Sequence, residues 1–421
     1  MSKNQPLIHL ANIDSAKLPN YYNYAFAIEK VRERLNDKYG GIFKLYNAEE
    51  GLTDVLEATE DILANDPEEI ELVANIYDSA GAATVYYSNE NKYEVKPSTY
   101  NNILYFPKYE VAIITIPIYQ SMHNYMENFI FAKNDTSVLE FLDYTHEIQR
   151  QYMLQGITVF TDTEEGVKRT REQITKQIQR EDILLAEDLK TDIFRSIDEF
   201  FLHSGTFFKT YDIPYKRGIL LYGSPGNGKT TLVKSIAESV TAPIVYWQIT
   251  EFTHSYSIKE IFSKVTKLAP MILVIEDIDS MPKESRSVFL NTLDGATTKE
   301  GIFLIGTTNY PEKIDPALIN RAGRFDRAYE IKQPDDLLRR NYLHKKGIAK
   351  FIDEQTLNQL IEKTNGLSIA QLNELYMSIA LQWHYDQEVT IEKIITDLQK
   401  NNKNTIKNDW ELAGNTDRLG F

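Results

Sequence analysis

The 421-residue chain contains no cysteine, which excludes disulfides and thiolate metal sites and is compatible with a reducing compartment. It also lacks a basic balance. With 46 Lys and Arg against 61 Asp and Glu, the net charge is −15, which argues against a non-specific nucleic-acid binder, because such proteins need a dominant positive surface. Long hydrophobic runs are missing too: the longest apolar stretch, residues 111–118, is far short of the ~20 residues that span a bilayer. The start, Met1-Ser2-Lys3-Asn4-Gln5-Pro6, is polar and shows no charged-then-apolar signal. None of the seven histidines sits in an H-E-x-x-H pattern, so an integral metalloprotease of that kind is excluded. From these absences we expect a soluble, cytoplasmic protein with no membrane insertion and no nucleic-acid partner.

What is present is a globular composition, 42% apolar and 25% charged, in a chain long enough for two or three domains. Residues 1–160 mix patterns: a helix over 24–39 stopped by Gly40-Gly41, another over 67–79, and hairpins over 84–95 and 103–118. This part is rich in tyrosine, which reads as core packing rather than as a binding signal. It forms an expected N-terminal α+β domain for a substrate or partner. Residues 161–182 are highly charged and read as a helical linker. From 183 to 333, apolar runs at 219–222, 244–248, 271–275, 302–307 and 328–331 alternate with helical segments. That alternation predicts an α/β domain with a doubly wound, parallel, five-stranded sheet. Residues 334–402 read as a small C-terminal helical lid and 403–421 as a loosely ordered tail.

The first strand runs straight into Gly223-Ser224-Pro225-Gly226-Asn227-Gly228-Lys229-Thr230, a G-x-x-x-x-G-K-T pattern, and then into a helix from Thr231. In that strand–loop–helix setting the backbone N–H groups and the helix N-terminus cradle a polyphosphate. Lys229 is positioned for the β- and γ-phosphates and the Thr230 hydroxyl for Mg²⁺. The fold class is therefore a P-loop NTPase that binds ATP with Mg²⁺.

A second constellation follows at the other strand ends. Glu276-Asp277-Ile278-Asp279 closes an apolar strand, and acids there are costly unless a cation or a proton donor meets them. We read Glu276 as a Mg²⁺ ligand and Asp277 as the group that polarises the attacking water; Asp277 or Asp279 also suits a helix N-cap. The next strand delivers Thr308 and Asn309 to the same edge, where a neutral amide can orient water. Beyond it, Arg321 and Arg324 lie three apart in Asp315-Pro316-Ala317-Leu318-Ile319-Asn320-Arg321-Ala322-Gly323-Arg324-Phe325-Asp326-Arg327. An arginine finger accelerates γ-phosphate cleavage by roughly 10³–10⁵.

In this order and spacing, residues from about 183 to 400 resemble the AAA family of ring ATPases, most specifically through the run from Ile314 to Arg327. Within that family, Tyr211 to Gly218 and the Glu276-Asp277 order resemble the subgroup of the mitochondrial Rieske-protein translocase and its soluble bacillary relatives. The resemblance implies a homo-oligomer, in the usual form a hexamer, with ATP between subunits. Arg321 and Arg324 would act on the neighbour's nucleotide, and protein substrates would be remodelled. Several positions depart from the family pattern. The strand-end acids are reversed from the usual Asp-Glu, Glu251-Phe252-Thr253-His254-Ser255-Tyr256 lacks the aromatic-aliphatic-Gly pore tripeptide, and a coupling element survives only as Asp294-Gly295-Ala296. In the lid, Gly366-Leu367-Ser368-Ile369-Ala370 places Ile369 where a glycine often packs near adenine. The terminal Leu419-Gly420-Phe421 resembles peptidase-docking hooks, which leaves a separate peptidase as an alternative partner and a nucleic-acid-dependent ATPase as a weaker one.

Overall fold

The computed structural model describes residues 7, 23–47, 53–87, 92–119, 124–154, 156–172, 178–295, 300–318 and 324–396. Two compact units divide between Gln155 and Gly156.

The first unit is built on a five-stranded antiparallel sheet of β1 (Lys44–Tyr46), β2 (Glu71–Asn75), β5 (Asn102–Phe106), β6 (Val111–Tyr119) and β7 (Asn124–Ala132), in the order β1-β7-β6-β5-β2. Helix α1 (Asn23–Tyr39) lies on one face, where Ala27, Val31 and Leu35 share a core with Ile103, Tyr105, Ile114 and Phe131. Helices α2 (Thr53–Asn65) and α3 (Asp135–Leu154) lie on the other, joining Ile62, Val138 and Phe141 to Leu104, Phe106 and Ile113. Because both faces are covered, β5 is buried at every residue instead of alternating. A separate two-stranded ribbon, β3 (Ala83–Tyr87) and β4 (Tyr93–Pro97), completes the unit.

The tyrosines are used as the sequence reading expects, as packing groups with a polar tip. Tyr39 donates to Glu71 at 2.7 Å, Tyr46 to Asp135 at 2.6 Å and Tyr144 to Glu69 at 3.0 Å, and Tyr152 makes a short bond to Asp66. The helix expected over 67–79 is not there. One 3-10 turn at Pro67–Glu69 gives way to β2, because Val73 and Ala74 are claimed by the face that α1 covers.

The second unit holds a seven-stranded sheet in the order β14-β10-β13-β12-β11-β8-β9. The five expected strands are β10 (Lys216–Tyr222), β11 (Ile244–Gln248), β12 (Met271–Glu276), β13 (Ile302–Thr308) and β14 (Arg327–Glu330), and every pairing among them is parallel. Two more precede them: β8 (Ile157–Thr163), which begins within the segment read as the N-terminal domain, pairs parallel with β11, and β9 (Gly166–Glu172), from the segment read as a charged helical linker, closes the edge antiparallel to β8. The β-branched run of β8 explains its state. The charges that suggested a solvated helix include those of an edge strand, Lys168 and Arg169, where charge discourages further strand addition.

Helices α4 (Glu187–Phe201), α5 (Thr206–Thr210), α6 (Lys229–Ser239), α7 (Ser255–Lys267) and α8 (Lys283–Gly295) accompany this sheet. Then α9 (Asp336–Lys346), α10 (Glu354–Lys363) and α11 (Ile369–Asp386) form the lid around Leu343, Leu360, Leu372 and Leu375. Asp335, Asp353 and Ser368 cap the three lid helices by accepting from the N–H groups of Leu338, Thr356 and Gln371. The tail over 403–421, with Leu419-Gly420-Phe421, lies outside the described residues.

In the first unit, fully buried Asn101 holds a left-handed backbone (φ 58°) and ties down the turn after β2. Its Oδ1 accepts from Tyr77 N at 2.9 Å, and its Nδ2 donates to the carbonyls of Tyr77 (2.9 Å) and Ala80 (2.8 Å). Asn101→Ala should cost on the order of 3 kcal/mol, because it strands two buried backbone groups of Tyr77 and a half-buried one of Ala80. Hydrogen exchange of the β2 and β5 amides should then quicken about 100-fold, with the β10–β13 amides unchanged. Unaltered exchange in β2 and β5 would remove Asn101 from this role.

Candidate active site

The parallel ladder sets the geometry of the site. Tyr222 of β10 pairs with Thr308 of β13, and Ile275 of β12 with Gly306, so the loops leaving all three strands emerge along one edge. Ligands bind at such carboxyl ends in open α/β sheets. Gly223, Gly226 and Gly228 adopt positive φ (135°, 78° and 91°), and α6 begins at Lys229. Ser224, Pro225, Gly226, Thr230 and Thr231 are exposed, while Asn227 and Lys229 are buried. The Lys229 ammonium donates to the carbonyls of Gly223 at 2.6 Å and Ser224 at 3.1 Å, which holds it over the loop. Burial lowers its pKa, against the opposing pull of Asp277 and Asp279.

The strand-end acids meet the same edge. Glu276 is the last residue of β12 and is half-buried. Asp277 takes a left-handed backbone (φ 51°), and its N–H donates to Thr307 Oγ1 at 3.3 Å. Although Asp277 is exposed as a residue, its carboxyl group has lost enough solvent to raise its pKa. Asp279 adds to the rise and Lys229 opposes it. Thr308 Oγ1 donates to Asp279 Oδ1 at 2.5 Å and accepts from Tyr310 N at 2.9 Å. The two threonines ending β13 thus hold the β12 acids, a role that sequence reasoning missed because the contacts run between strands. Asn309 follows β13 directly and is half-buried.

The lid closes on the loop. Ala370 N donates to Gly226 O at 2.9 Å, and a Cβ at Gly226 would lie 3.0 Å from both Ser368 Oγ and Ala370 Cβ, so only glycine fits comfortably. A pocket of about 460 Å³ lies beside this contact, walled by Ile178, Ile183, Leu185, Thr231, Tyr342 and Ile369. Across it, Lys345 pairs with Asp182 at 2.5 Å. Its size suits a nucleobase and sugar. Ile369 is the lid residue that the resemblance placed near adenine. The 178–185 wall was missed, because those residues carry no motif. Asn227 Oδ1, also at this wall, is buried without a hydrogen-bond partner.

The structure places one of the two expected finger arginines inside its own chain. Arg324 does not present its guanidinium outward: the residue is 2% exposed. Its Nε and Nη2 donate to Asp294 Oδ1 at 3.0 Å and Oδ2 at 2.7 Å, and Nη1 bonds the Ala317 carbonyl. This is a bidentate internal ion pair with Asp294, near the end of α8. The crossing is tight, since a Cβ at Gly218 would fall 1.8 Å from the Arg324 carbonyl oxygen. Arg321 lies outside the described residues, as does Ala296 of the coupling element.

The segment after β11 carries Phe252 and Tyr256, 44% and 70% exposed. Buried Asp162 of β8 anchors it by accepting from Trp247 Nε1 at 2.9 Å and Thr253 Oγ1 at 2.5 Å, while the Asp162 carbonyl accepts from Thr250 Oγ1 at 2.9 Å. Sequence reading flagged the aromatics but not their anchor. No helix among the described residues is long and apolar enough to cross a membrane.

Residues 219–333 match the family "ATPase family associated with various cellular activities (AAA)". Among curated relatives, the chain is 33% identical over 265 residues to Protein SAV of Sulfolobus acidocaldarius, covering 58% of this chain and 34% of that protein. It is 30% identical over 227 residues to the ATP-dependent zinc metalloprotease FtsH of Staphylococcus haemolyticus, covering 49% and 31%. It is also 30% identical over 256 residues to FtsH of Endomicrobium trichonymphae, covering 55% and 40%. The chain thus spans about a third of the length of the relatives it matches. With the phosphate loop and the lid meeting at one pocket and the strand-end acids on the same sheet edge, the 219–333 match identifies an AAA ATPase domain, which implies ATP binding and hydrolysis.

Proposed function

We propose that this chain is an ATP-driven machine that assembles as a ring, a homohexamer in the expected form, and remodels or chaperones protein substrates in the cytoplasm. The observation that carries the ATPase part is the lid-to-loop closure at Ala370 and Gly226 beside a pocket that the loop lines with Asn227, Gly228 and Thr231. Two features support protein as the substrate: the exposed Phe252 and Tyr256 on a braced segment, and the FtsH relatives, which are named as ATP-dependent proteases. The Glu276-Asp277 order resembles that of the Rieske-protein translocase subgroup, which supports the same reading.

In this reading the backbone of Gly223–Thr231 holds the phosphates, Lys229 neutralises the β- and γ-oxygens, and the pocket walled by Ile183, Tyr342 and Ile369 takes the base. Lys229 is opposed by Asp277 and Asp279, an excess of negative charge that would repel a triphosphate without a divalent cation. Thr230 and Glu276 are the residues to hold Mg²⁺, which would offset charge developing on the phosphates. Among the described residues no cluster of three His, Cys, Asp or Glu forms an all-protein cage. That fits a cation shared with phosphates. Asp277 accepts the proton of the attacking water, and Asn309 orients that water. An aspartate is one methylene shorter than the usual glutamate, so slow turnover is expected. Arg321 is left as the finger for the neighbouring subunit.

Asp277→Asn should keep ATP affinity within about threefold while lowering kcat at least 100-fold, the usual scale for losing a general base. Filter binding and phosphate release measure the two, and intact turnover would remove Asp277 from the chemistry. Because the Asp277 pKa is raised, the acidic limb of kcat should lie above the ordinary aspartate value of about 3.9. Asp279→Asn removes a charge that favours the protonated form, so it should move that limb to lower pH. A limb that stays put would dissociate Asp279 from the site. Arg324→Ala should cost about 1–3 kcal/mol, because it removes a buried bidentate donor while the Asp294 side chain, 40% exposed, regains water. In thermal melts the Arg324→Ala, Asp294→Ala double variant should be no worse than the sum of singles. Mixing with Lys229→Ala subunits should restore hydrolysis to Arg321→Ala and not to Arg324→Ala; recovery by Arg324→Ala would return the finger role to it.

A further inference from the structure

The β3–β4 ribbon is inside out. Its register pairs Val85 with Val95 and Tyr87 with Tyr93 on one face, and Thr84 with Lys96 on the other. An amphipathic ribbon normally turns its apolar face to the core. Here the pattern along β4 is exposed at Tyr93, Val95 and Pro97 and half-buried at Glu94 and Lys96. Val85, Tyr87, Tyr93 and Val95 are 63%, 58%, 77% and 67% exposed. The two tyrosines pack edge to face, with centroids 5.1 Å apart. The base is firmly held: Asn102 Nδ2 donates to Ala82 O at 2.8 Å and Ser98 O at 2.7 Å, and Ser98 N to Ala82 O at 3.1 Å. The outward face is therefore fixed by anchored strand ends and does not arise from a loose hairpin.

We propose that this face binds an extended apolar segment of a non-native polypeptide. The four side chains leave on the order of 500 Å² open, within the roughly 300–600 Å² of functional patches on monomers. That is short of the ~800 Å² per side of a stable protein interface, so the face suits a weakly held client better than a second copy of this chain. Among the described residues each ribbon strand pairs only with the other, which leaves a backbone edge on both. An incoming strand can add to such an edge and lay alternate side chains on the valines and tyrosines. The proposal deepens the protein-remodelling reading, and its test is run without nucleotide so that failure here leaves the ATPase reading standing.

The test titrates the full chain against fluorescein-labelled, reduced and carboxymethylated α-lactalbumin, a permanently unfolded probe, by anisotropy. A variant with Val85→Thr, Tyr87→Thr, Tyr93→Thr and Val95→Thr keeps strand-favouring residues. It should bind the probe at least tenfold more weakly, with oligomeric state and basal ATPase unchanged. The single variant Val95→Lys, at an exposed position, should give a smaller loss in the same direction. With the wild type, probe binding should slow amide exchange at residues 83–87 and 93–97. Undiminished binding by both variants would overturn the proposal, as would a wild type that ignores the probe. Dissociation of the oligomer by Val95→Lys would assign the face to a second copy and overturn it equally.

Discussion

One electrostatic constraint organises the ATPase unit. The Lys229 ammonium and the carboxyl groups of Asp277 and Asp279 interact at the end of a sheet whose central strands are largely apolar. Charges so poorly solvated are tolerated only where donors and counter-charges meet them. Lys229 therefore leans on two loop carbonyls, and Asp279 takes the Thr308 hydroxyl. The Asp277 proton is held more tightly than usual. Each of these arrangements relies on the register of β10, β13 and β12, since a one-residue slip would turn Thr307 and Thr308 to the opposite faces.

The same register explains the inward arginine. Gly218 on β10 and Gly306 on β13 leave room for the 324–326 segment to cross the sheet, and Phe325 packs into that space with no exposure. Arg324 then meets Asp294 at the end of α8, the helix that follows the strand-end acids after one short turn. A bidentate pair with a nearly buried guanidinium is a rigid joint. It connects the acidic edge to the segment that carries Arg321, whose flanks are drawn together where Phe325 N donates to Leu318 O at 3.3 Å.

Features legible in the sequence were those set by local chemistry. The phosphate loop, the five apolar strands, α4 and the three capped lid helices each carry their signal within a dozen residues. The β3–β4 and β5–β6 hairpins were also legible, from turn residues between β-branched runs. What stayed hidden depends on distant partners. The 67–79 segment contains Leu72, Val73 and Ile76 at spacings that suit a helix, but pairing with β5 claims it for the sheet. Charged β9 looks like a solvated helix until β8 supplies its partner. Arg324 illustrates the limit for the site: its spacing from Arg321 is visible in the sequence, whereas its direction is decided by Asp294, 30 residues away.

The aromatic segment after β11 carries the last step. Asp162 is 2% exposed, and its Oδ2 receives both Trp247 and Thr253 while Oδ1 has no partner. Swinging the 250–256 segment away would strip that buried carboxyl group of a donor and leave Trp247 as its remaining side-chain bond. Such a group is expensive to strand, about 1–3 kcal/mol for each lost bond and more if charged. Thr253 is pinned from its other side as well, since Ser285 Oγ donates to its carbonyl at 2.8 Å. Phe252 is thus presented on a braced turn and Tyr256 on the first turn of α7. A surface of that kind grips by position. Within the proposed protein-remodelling role it suits holding and releasing a client better than drawing one through processively.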